Sequence, residues 1–327
     1  MSDAQISVRV ARVETVAERI KRVRLVSKDG GPLPMFSAGS HIVVTMREPN
    51  RTIKNAYSLM GPIGDTEGYE ISVLRTTDSH GGSKFVHEHL YEGSVISISH
   101  PSNLFSLDLR ARKHLLIAGG IGITPLMSMA DQLSLLGYQF ELHYSTRTPG
   151  SGAYVGDLKT RYGKRLHHYQ TVSGLRIDLP KLLGQQPLGT HLYVCGPEAM
   201  IEQVLAQAKK MGWPDQNVHA EHFGAPKGGA PFVVTLARSG RQIKVREDET
   251  ILQALEAAGL EPPFLCRGGA CGQCETRVTA CDGVVQHNDH YLSEEEKESG
   301  GKIMICVSRL RGAQLTLDID EQASGSR

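Results

Sequence analysis

Cys266-Arg267-Gly268-Gly269-Ala270-Cys271-Gly272-Gln273-Cys274 sets three thiols in C-x₄-C-x₂-C spacing, and a fourth, Cys306, follows after 31 further residues. Two irons need four soft anionic ligands. Three from one tight loop and one from far along the chain is the plant-type ferredoxin pattern for a [2Fe–2S] cluster. Gly268, Gly269 and Gly272 allow the loop to bend and let backbone N–H groups approach the sulfurs. A four-cysteine zinc site and four unrelated buried thiols are the alternatives. Structural zinc sites pair cysteines at spacings of roughly two to four residues, so count alone does not separate them. The compact glycine-rich triplet with one remote partner favours iron–sulfur. Cys281 lies outside this spacing and reads as a non-ligand thiol, as does Cys195.

Around the loop the pattern is that of a small mixed domain. Residues 232–237 and 241–245 read as a hairpin across Arg238-Ser239-Gly240. Asp248 is a candidate N-cap for a helix over 251–258, with Ile251, Leu252, Leu255 and Ala258 on one stripe and Gly259 ending it. Strands are expected at 275–279 and 314–319, and Ser293 caps a charged helix start. The Gly- and Pro-rich run at 225–231 reads as a linker, which makes 232–327 a separate domain.

Upstream, residues 110–224 alternate strand and helix. Lys113-His114-Leu115-Leu116-Ile117-Ala118 is an apolar strand, followed by Gly119-Gly120-Ile121-Gly122-Ile123-Thr124-Pro125 and an amphipathic helix. Strand, glycine turn and helix start form a dinucleotide-type phosphate site. Pro125 stands where a third glycine would be, and a first helical turn accepts it. A second strand ends at Ser145-Thr146-Arg147, where the adenosine ribose would lie. Arg147 can accommodate a 2′-phosphate, which leaves NADPH open, or stack on adenine, or contact the pyrophosphate. Cys195-Gly196-Pro197 ends another strand, at the edge where open α/β sheets bind ligands. Cys195 is there either a small core thiol or a neighbour of the nicotinamide.

Residues 1–109 carry short alternating runs rich in Val and Ile, which predict an antiparallel sheet or small barrel. One helical run, at 85–90, follows Gly81-Gly82-Ser83, which is either a phosphate cradle or a plain loop and cap. In Asn55-Ala56-Tyr57-Ser58-Leu59, Tyr57 could stack on a planar ring and Ser58 hydrogen-bond to it, or the stretch is an ordinary strand. Arg75 is a phosphate contact or a surface charge.

The whole is 327 residues with net charge +1, too long for one ordinary domain and without a nucleic-acid or membrane signature. No run approaches 18 apolar residues, and the first residues do not read as a signal peptide. A reduced, cytoplasmic setting is expected for the thiols.

A [2Fe–2S] centre moves single electrons and a nicotinamide gives up a pair, so a chain carrying both needs a flavin between them. The first segment is the natural place for it. Taken in order, these motifs resemble the phthalate dioxygenase reductase family, within the ferredoxin–NADP reductase superfamily, over essentially the whole chain. The resemblance implies a flavin-binding antiparallel β-barrel (1–109), a pyridine-nucleotide-binding α/β domain with a parallel sheet (110–224) and a C-terminal β-grasp ferredoxin domain. It implies FMN rather than FAD, NADH rather than NADPH, and a Rieske-type non-haem iron oxygenase as electron acceptor. It assigns Tyr57 and Ser58 to the flavin motif and Gly81, Gly82 and Ser83 to the flavin phosphate. It assigns Gly120, Gly122, Thr124, Pro125, Cys195 and Gly196 to the nucleotide, while Ser145 and Arg147 are candidates from their place at the end of the second strand and the resemblance leaves Arg147 ambiguous. Ser58, Thr124, Cys195 and Phe223 would set the approach of hydride donor and acceptor, with Phe223 near the flavin. Cys266, Cys271, Cys274 and Cys306 would hold the cluster. The family's R-x-Y-S motif opens with arginine, where this chain has Asn55; Arg51, Lys54, Arg75 or Lys84 would supply the missing cation. An FAD- or NADPH-using reductase serving a diiron hydroxylase or a cytochrome is the other reading. Those systems usually place the ferredoxin domain first, which argues against it. Oligomeric state and the oxygenase's substrate are not legible.

Overall fold

A computed structural model describes residues 5–49, 51–77, 81–223 and 228–320, with Arg51 described by its backbone alone. Residues 225–227 of the expected linker and the Arg51 side chain lie outside the described residues. The chain divides into two compact units: Met1–Met46, Tyr57–Thr77 and Gly82–Phe223 form one, and Arg47–Ala56, Asp78–Gly81 and Gly224–Arg327 the other.

The first strands are β1 (Ile6–Ala17), β2 (Ile20–Ser27), β3 (Ser40–Glu48), β4 (Arg51–Ser58) and β5 (Tyr69–Leu74). After α1 (Gly82–Glu88) come β6 (Val95–Ile98) and β7 (Ser102–Asn103). They pair antiparallel in the order β4-β3-β6-β1-β2-β5, with β7 beside β3. A bridge between Met60 and Glu70 joins the end of β4 to β5 and closes the sheet into a barrel. Alternate residues such as Val8 and Val10 on β1 and Val23 and Leu25 on β2 fill the interior.

Next come β8 (Lys113–Gly119), α2 (Ile123–Leu135), β9 (Phe140–Thr146), α3 (Val155–Tyr162), β10 (Leu166–Gln170), α4 (Leu179–Gly184), β11 (Thr190–Cys195), α5 (Glu198–Lys210) and β12 (Val218–Glu221). The five strands are parallel in the order β10-β9-β8-β11-β12. The central strands β8 and β11 are almost wholly buried, as strands covered by helices on both faces must be. The order reverses between β8 and β11, so their C-terminal ends open a crevice. One apolar cluster joins Ile20, Ala38, Met60 and Phe105 of the barrel side to Leu116, Ile123, Leu126, Met129 and Tyr154 of the parallel sheet and its helices. Ser72 and Tyr154 hydroxyls meet at 2.5 Å across the same boundary.

The last elements are β13 (Phe232–Leu236), β14 (Gln242–Val245), α6 (Ile251–Ala257), β15 (Glu275–Cys281), β16 (Val284–Gln286), α7 (Glu294–Ser299), β17 (Lys302–Met304), β18 (Arg309–Arg311) and β19 (Gln314–Leu317). Five of these strands form a mixed sheet, β14-β13-β19-β15-β17, and β16 pairs with β18. Ile251, Leu252 and Leu255 of α6 enter a core with Val234, Leu236, Ile303, Ile305, Leu315 and Leu317. The expected cap at Asp248 is corrected to Thr250. Its hydroxyl accepts from Gln253 N–H at 3.0 Å, and Gln253 returns a bond to Thr250 N–H, a reciprocal box that Asp248 is two residues too early to make. Ser293 caps α7 as expected, with Glu296 completing the same box.

Candidate functional site

The four cysteines of the ferredoxin spacing converge. Cys274 and Cys306 Sγ atoms lie 3.1 Å apart, buried in the apolar core of the C-terminal unit. Cys306 occupies the turn after β17. Cys266 and Cys271 are half-buried, and Ala270 between them is exposed. All six cysteines are free of disulfides. Cys266 Sγ accepts from the N–H groups of Gly268 at 3.3 Å and Ala270 at 3.4 Å. A hydrogen bond from Cys271 holds the Cys266 thiol well below its usual range, helped against burial by those N–H groups. Four unpaired thiols with amides aimed at sulfur are the donor set a [2Fe–2S] cluster requires, so the residues fit it. Cys281 is exposed and donates to Gly283 O at 3.4 Å, apart from this set.

Two glycines are forced by their neighbours. Gly269 (φ +75°) has Val307 Cγ2 2.7 Å from where a Cβ would stand, and Gly272 (φ +75°) has the Tyr291 ring at 2.3 Å. Behind the loop, buried Asp289 accepts from Leu292 N–H at 3.0 Å and from the Ser308 hydroxyl at 3.2 Å, and His290 N–H donates to Gly269 O at 3.0 Å. Sequence reading gave this 287–292 support no role, because a polar loop carries no periodic signal.

Arg267, directly after Cys266, is buried and takes a left-handed φ of +55° that non-glycine residues rarely adopt. Its guanidinium forks onto Glu256 of α6, Nη1 to Oε1 at 2.9 Å and Nη2 to Oε2 at 2.6 Å. Lys54 Nζ of β4 donates to the same Oε1 at 2.8 Å. Both cations lie over the Phe264 ring, Arg267 Cζ at 4.6 Å and Lys54 Nζ at 5.2 Å from its centre. Burial pushes the Glu256 carboxyl up, but Arg267 and then Lys54 outweigh it and hold it below the usual carboxylate range. Lys54, one of the cations considered for a flavin phosphate, is thus committed to Glu256.

At the crevice of the parallel sheet, the glycine turn is set by packing against the β11 loop. A Cβ on Gly122 would stand 2.3 Å from Cys195 O, and one on Gly119 would meet Pro197 Cδ at 2.6 Å. These glycines let the β8 and β11 loops touch. Gly120 (φ +54°) has open space beyond it. Thr124 is buried, its hydroxyl donating to Ile121 O at 3.0 Å, and Pro125 sits in the first turn of α2. The Cys195 thiol is wholly buried, and burial, with Glu221 adding to it, pushes it well above the usual thiol range. It therefore stays protonated and is not a nucleophile. Ser145 is half-buried near the end of β9, and Arg147 is exposed just beyond it. Phe223 follows β12 and is 44% exposed. A bare glycine turn at a helix start, on the carboxyl edge of a reversing sheet, fits a dinucleotide.

In the barrel, Tyr57 is half-buried and Ser58 buried at the end of β4, with Asn55 half-buried two residues before Tyr57. Gly81 takes φ +105° immediately before α1, and Gly81, Gly82 and Ser83 are all buried. Ser83 Oγ accepts from Thr76 N–H at 3.3 Å and meets Thr76 Oγ1 at 3.2 Å. Arg75 is exposed and pairs with Glu88 at 2.6 Å. Buried glycines and paired hydroxyls at a left-handed turn fit a phosphate group, which is what a bound flavin would present there.

Comparison with known proteins agrees with this architecture. A model of the 2Fe-2S iron-sulfur cluster binding domain matches residues 234–311, and one of the dimethylamine monooxygenase subunit DmmA-like N-terminal domain matches 99–218. The carnitine monooxygenase reductase subunit of Acinetobacter pittii is 43% identical, over 94% of this chain and 100% of that protein. The heme-dependent oxidative N-demethylase beta subunit of Ectopseudomonas mendocina is 44% identical, over 96% and 99%. The solved structure of a phthalate dioxygenase reductase, described as modular for electron transfer from pyridine nucleotides to [2Fe–2S], superposes with a TM-score of 0.87 at 34% identity, over 97% of this chain and 98% of that one. The chain therefore belongs to the phthalate dioxygenase reductase-like family, the oxidoreductase components of oxygenase systems that join a ferredoxin–NADP reductase-like unit to a [2Fe–2S] ferredoxin domain.

Proposed function

We propose that this protein is the NADH-dependent reductase of an oxygenase system, taking electrons in at the crevice of the parallel sheet and delivering them through the [2Fe–2S] loop. The observation that carries this reading is one chain holding both a bare-glycine nucleotide crevice and four converging thiols. The flavin, FMN in this reading, supplies the exchange of an electron pair for single electrons. Residues 1–109 hold it, 110–224 hold the nucleotide and 232–327 the cluster. Tyr57, Ser58 and Asn55 bind around the flavin ring system, and Gly81, Gly82 and Ser83, with Arg75 nearby in sequence, hold its phosphate. Gly120, Gly122, Thr124, Pro125 and Gly196 seat the pyrophosphate and nicotinamide; Ser145 and Arg147 face the adenosine end. Buried Cys195 shapes the crevice floor through its backbone, and Phe223 covers the flavin. No group needs to move a proton; the chain's work is to position and to exclude water.

The acceptor is the oxygenase component, Rieske-type in the first reading. A haem acceptor is the second, and a specific observation favours it: the relative named as heme-dependent matches along nearly its whole length. Placing the ferredoxin domain last therefore does not argue against a haem partner. Among the relatives above 40% identity are carnitine monooxygenase reductase subunits and an oxidative N-demethylase beta subunit, so a methylated amine is the substrate class we propose for the partner. No described helix is long and apolar enough to cross a membrane, and a cytoplasmic location fits this reading.

Anaerobic titration with NADH and NADPH in turn, with mass analysis of the released flavin, tests the assignment. NADH is expected to bleach first flavin and then cluster absorbance at near-stoichiometric amounts, with FMN released. Cys274→Ser should remove the cluster's EPR signal and electron delivery to the oxygenase while NADH still bleaches the flavin. A flavin-loaded variant that NADH cannot bleach would count against this division of labour.

A further inference from the structure

The half-buried carboxylate of Glu256 binds two partners from different parts of the sequence. One is Arg267, fixed in a left-handed backbone next to ligand Cys266. The other is Lys54, on the strand that three residues later presents Tyr57, about 10 Å along an extended chain. Two-point carboxylate–guanidinium contact fixes direction as well as distance. Both oxygens of Glu256 are engaged, and Phe264, two residues before Cys266, lies under both cations. Arg267 is buried and Glu256 and Lys54 are half-buried, so leaving one of these charges without its partner costs more than losing an exposed pair.

We propose that Glu256 is a positioning residue for electron delivery: it ties the cluster loop to β4, the strand of the flavin motif, and balances the two cations beside the cluster. This rests on the reading of β4 as flavin-binding. The electrostatic part has a sign. A reduced cluster carries one more negative charge than an oxidised one, so a nearby cation raises its potential and a nearby carboxylate lowers it.

Glu256→Gln keeps the side chain's shape and removes its charge; Lys54→Met removes one cation away from the ligands. In holoprotein with full iron and flavin content, potentiometry followed by EPR should show the cluster potential raised in Glu256→Gln and lowered in Lys54→Met. Stopped-flow with NADH should show flavin bleaching in Glu256→Gln within about twofold of wild type and cluster bleaching about tenfold slower. That slowing would occur although the driving force has risen, which lost positioning explains and a potential change alone does not. The double variant should be no slower than the worse single one. Shifts of the same sign in both variants, or wild-type potential and cluster rate in both, would overturn the proposal. If Glu256→Gln fails to retain iron, Lys54→Met decides: a lower potential and slower cluster bleaching support the proposal, and wild-type values overturn it. Potentiometry uses dithionite and does not depend on NADH. A wild-type protein that NADH cannot bleach would therefore sink the functional reading and leave this one standing on its own measurement.

Discussion

His143 and His41 are neutral because they are buried. Desolvation, and then the charge of His167 stacked 4.5 Å away, push His143 down to about 4. Desolvation alone does the same to His41 on β3. In the unfolded chain both would titrate near 6.5. Between pH 6.5 and pH 4 the unfolded state therefore binds more protons, and stability falls as pH falls through that window. Each histidine contributes up to about 1.4 kcal/mol per pH unit. Urea unfolding at pH 7 and pH 5 should show the loss, and His143→Gln should flatten the dependence while leaving cluster absorbance intact. Neither histidine was legible beforehand, since a strand histidine does not announce which face it takes. Gly122 was legible as a turn glycine between β8 and α2. Its second constraint, 2.3 Å from Cys195 O at the position of a Cβ, depends on a strand more than 70 residues away and left no trace in the local sequence.

At the scale of elements, α6 depends on its first turn. Thr250 and Gln253 satisfy each other's backbone N–H groups there, and the helix aims Glu256 at the cluster loop. Thr250→Ala should lower stability by about 1 kcal/mol, a normal value for a lost N-cap, whereas Asp248→Ala should change it by less than about 0.5 kcal/mol; urea midpoints of the two variants read the difference. Both residues are plausible caps by type, and only the helix start at Ile251 chooses between them. The same limit explains why β8, α2 and β11, with long apolar or periodic runs, were legible, whereas α3, α4 and the β16–β18 pair were not. Each of those is short, and α3 is largely polar outside Leu158 and Tyr162. The cysteine loop was read from spacing alone because its chemistry demands a fixed ligand count. Its scaffold, Asp289 and Tyr291, was not, because many loops would serve.

Across the whole molecule, the change of pattern near residue 110 marks two folds but not two cores. Barrel and parallel sheet share one apolar cluster, and Gly39 of the barrel donates to the Ser128 hydroxyl of α2 at 3.2 Å. They are expected to unfold in a single calorimetric transition. Tyr154→Phe leaves the buried Ser72 hydroxyl without its partner and should lower that transition, at a loss of about 1–3 kcal/mol, without moving the loss of cluster absorbance. Two separate transitions for barrel and parallel sheet would contradict the shared core.

Cys274 and Cys306 stand among Leu, Ile and Met side chains, closed off from water. Half of the proposed ligand set is thus built into the hydrophobic interior rather than hung on the surface. A chelator can reach those two sulfurs only when that interior opens, so iron loss from the intact protein is timed by an opening of the fold. Where the chelator captures iron faster than the fold recloses, the half-life of the cluster should then level off with rising chelator concentration, and that plateau should lengthen under any condition that slows unfolding.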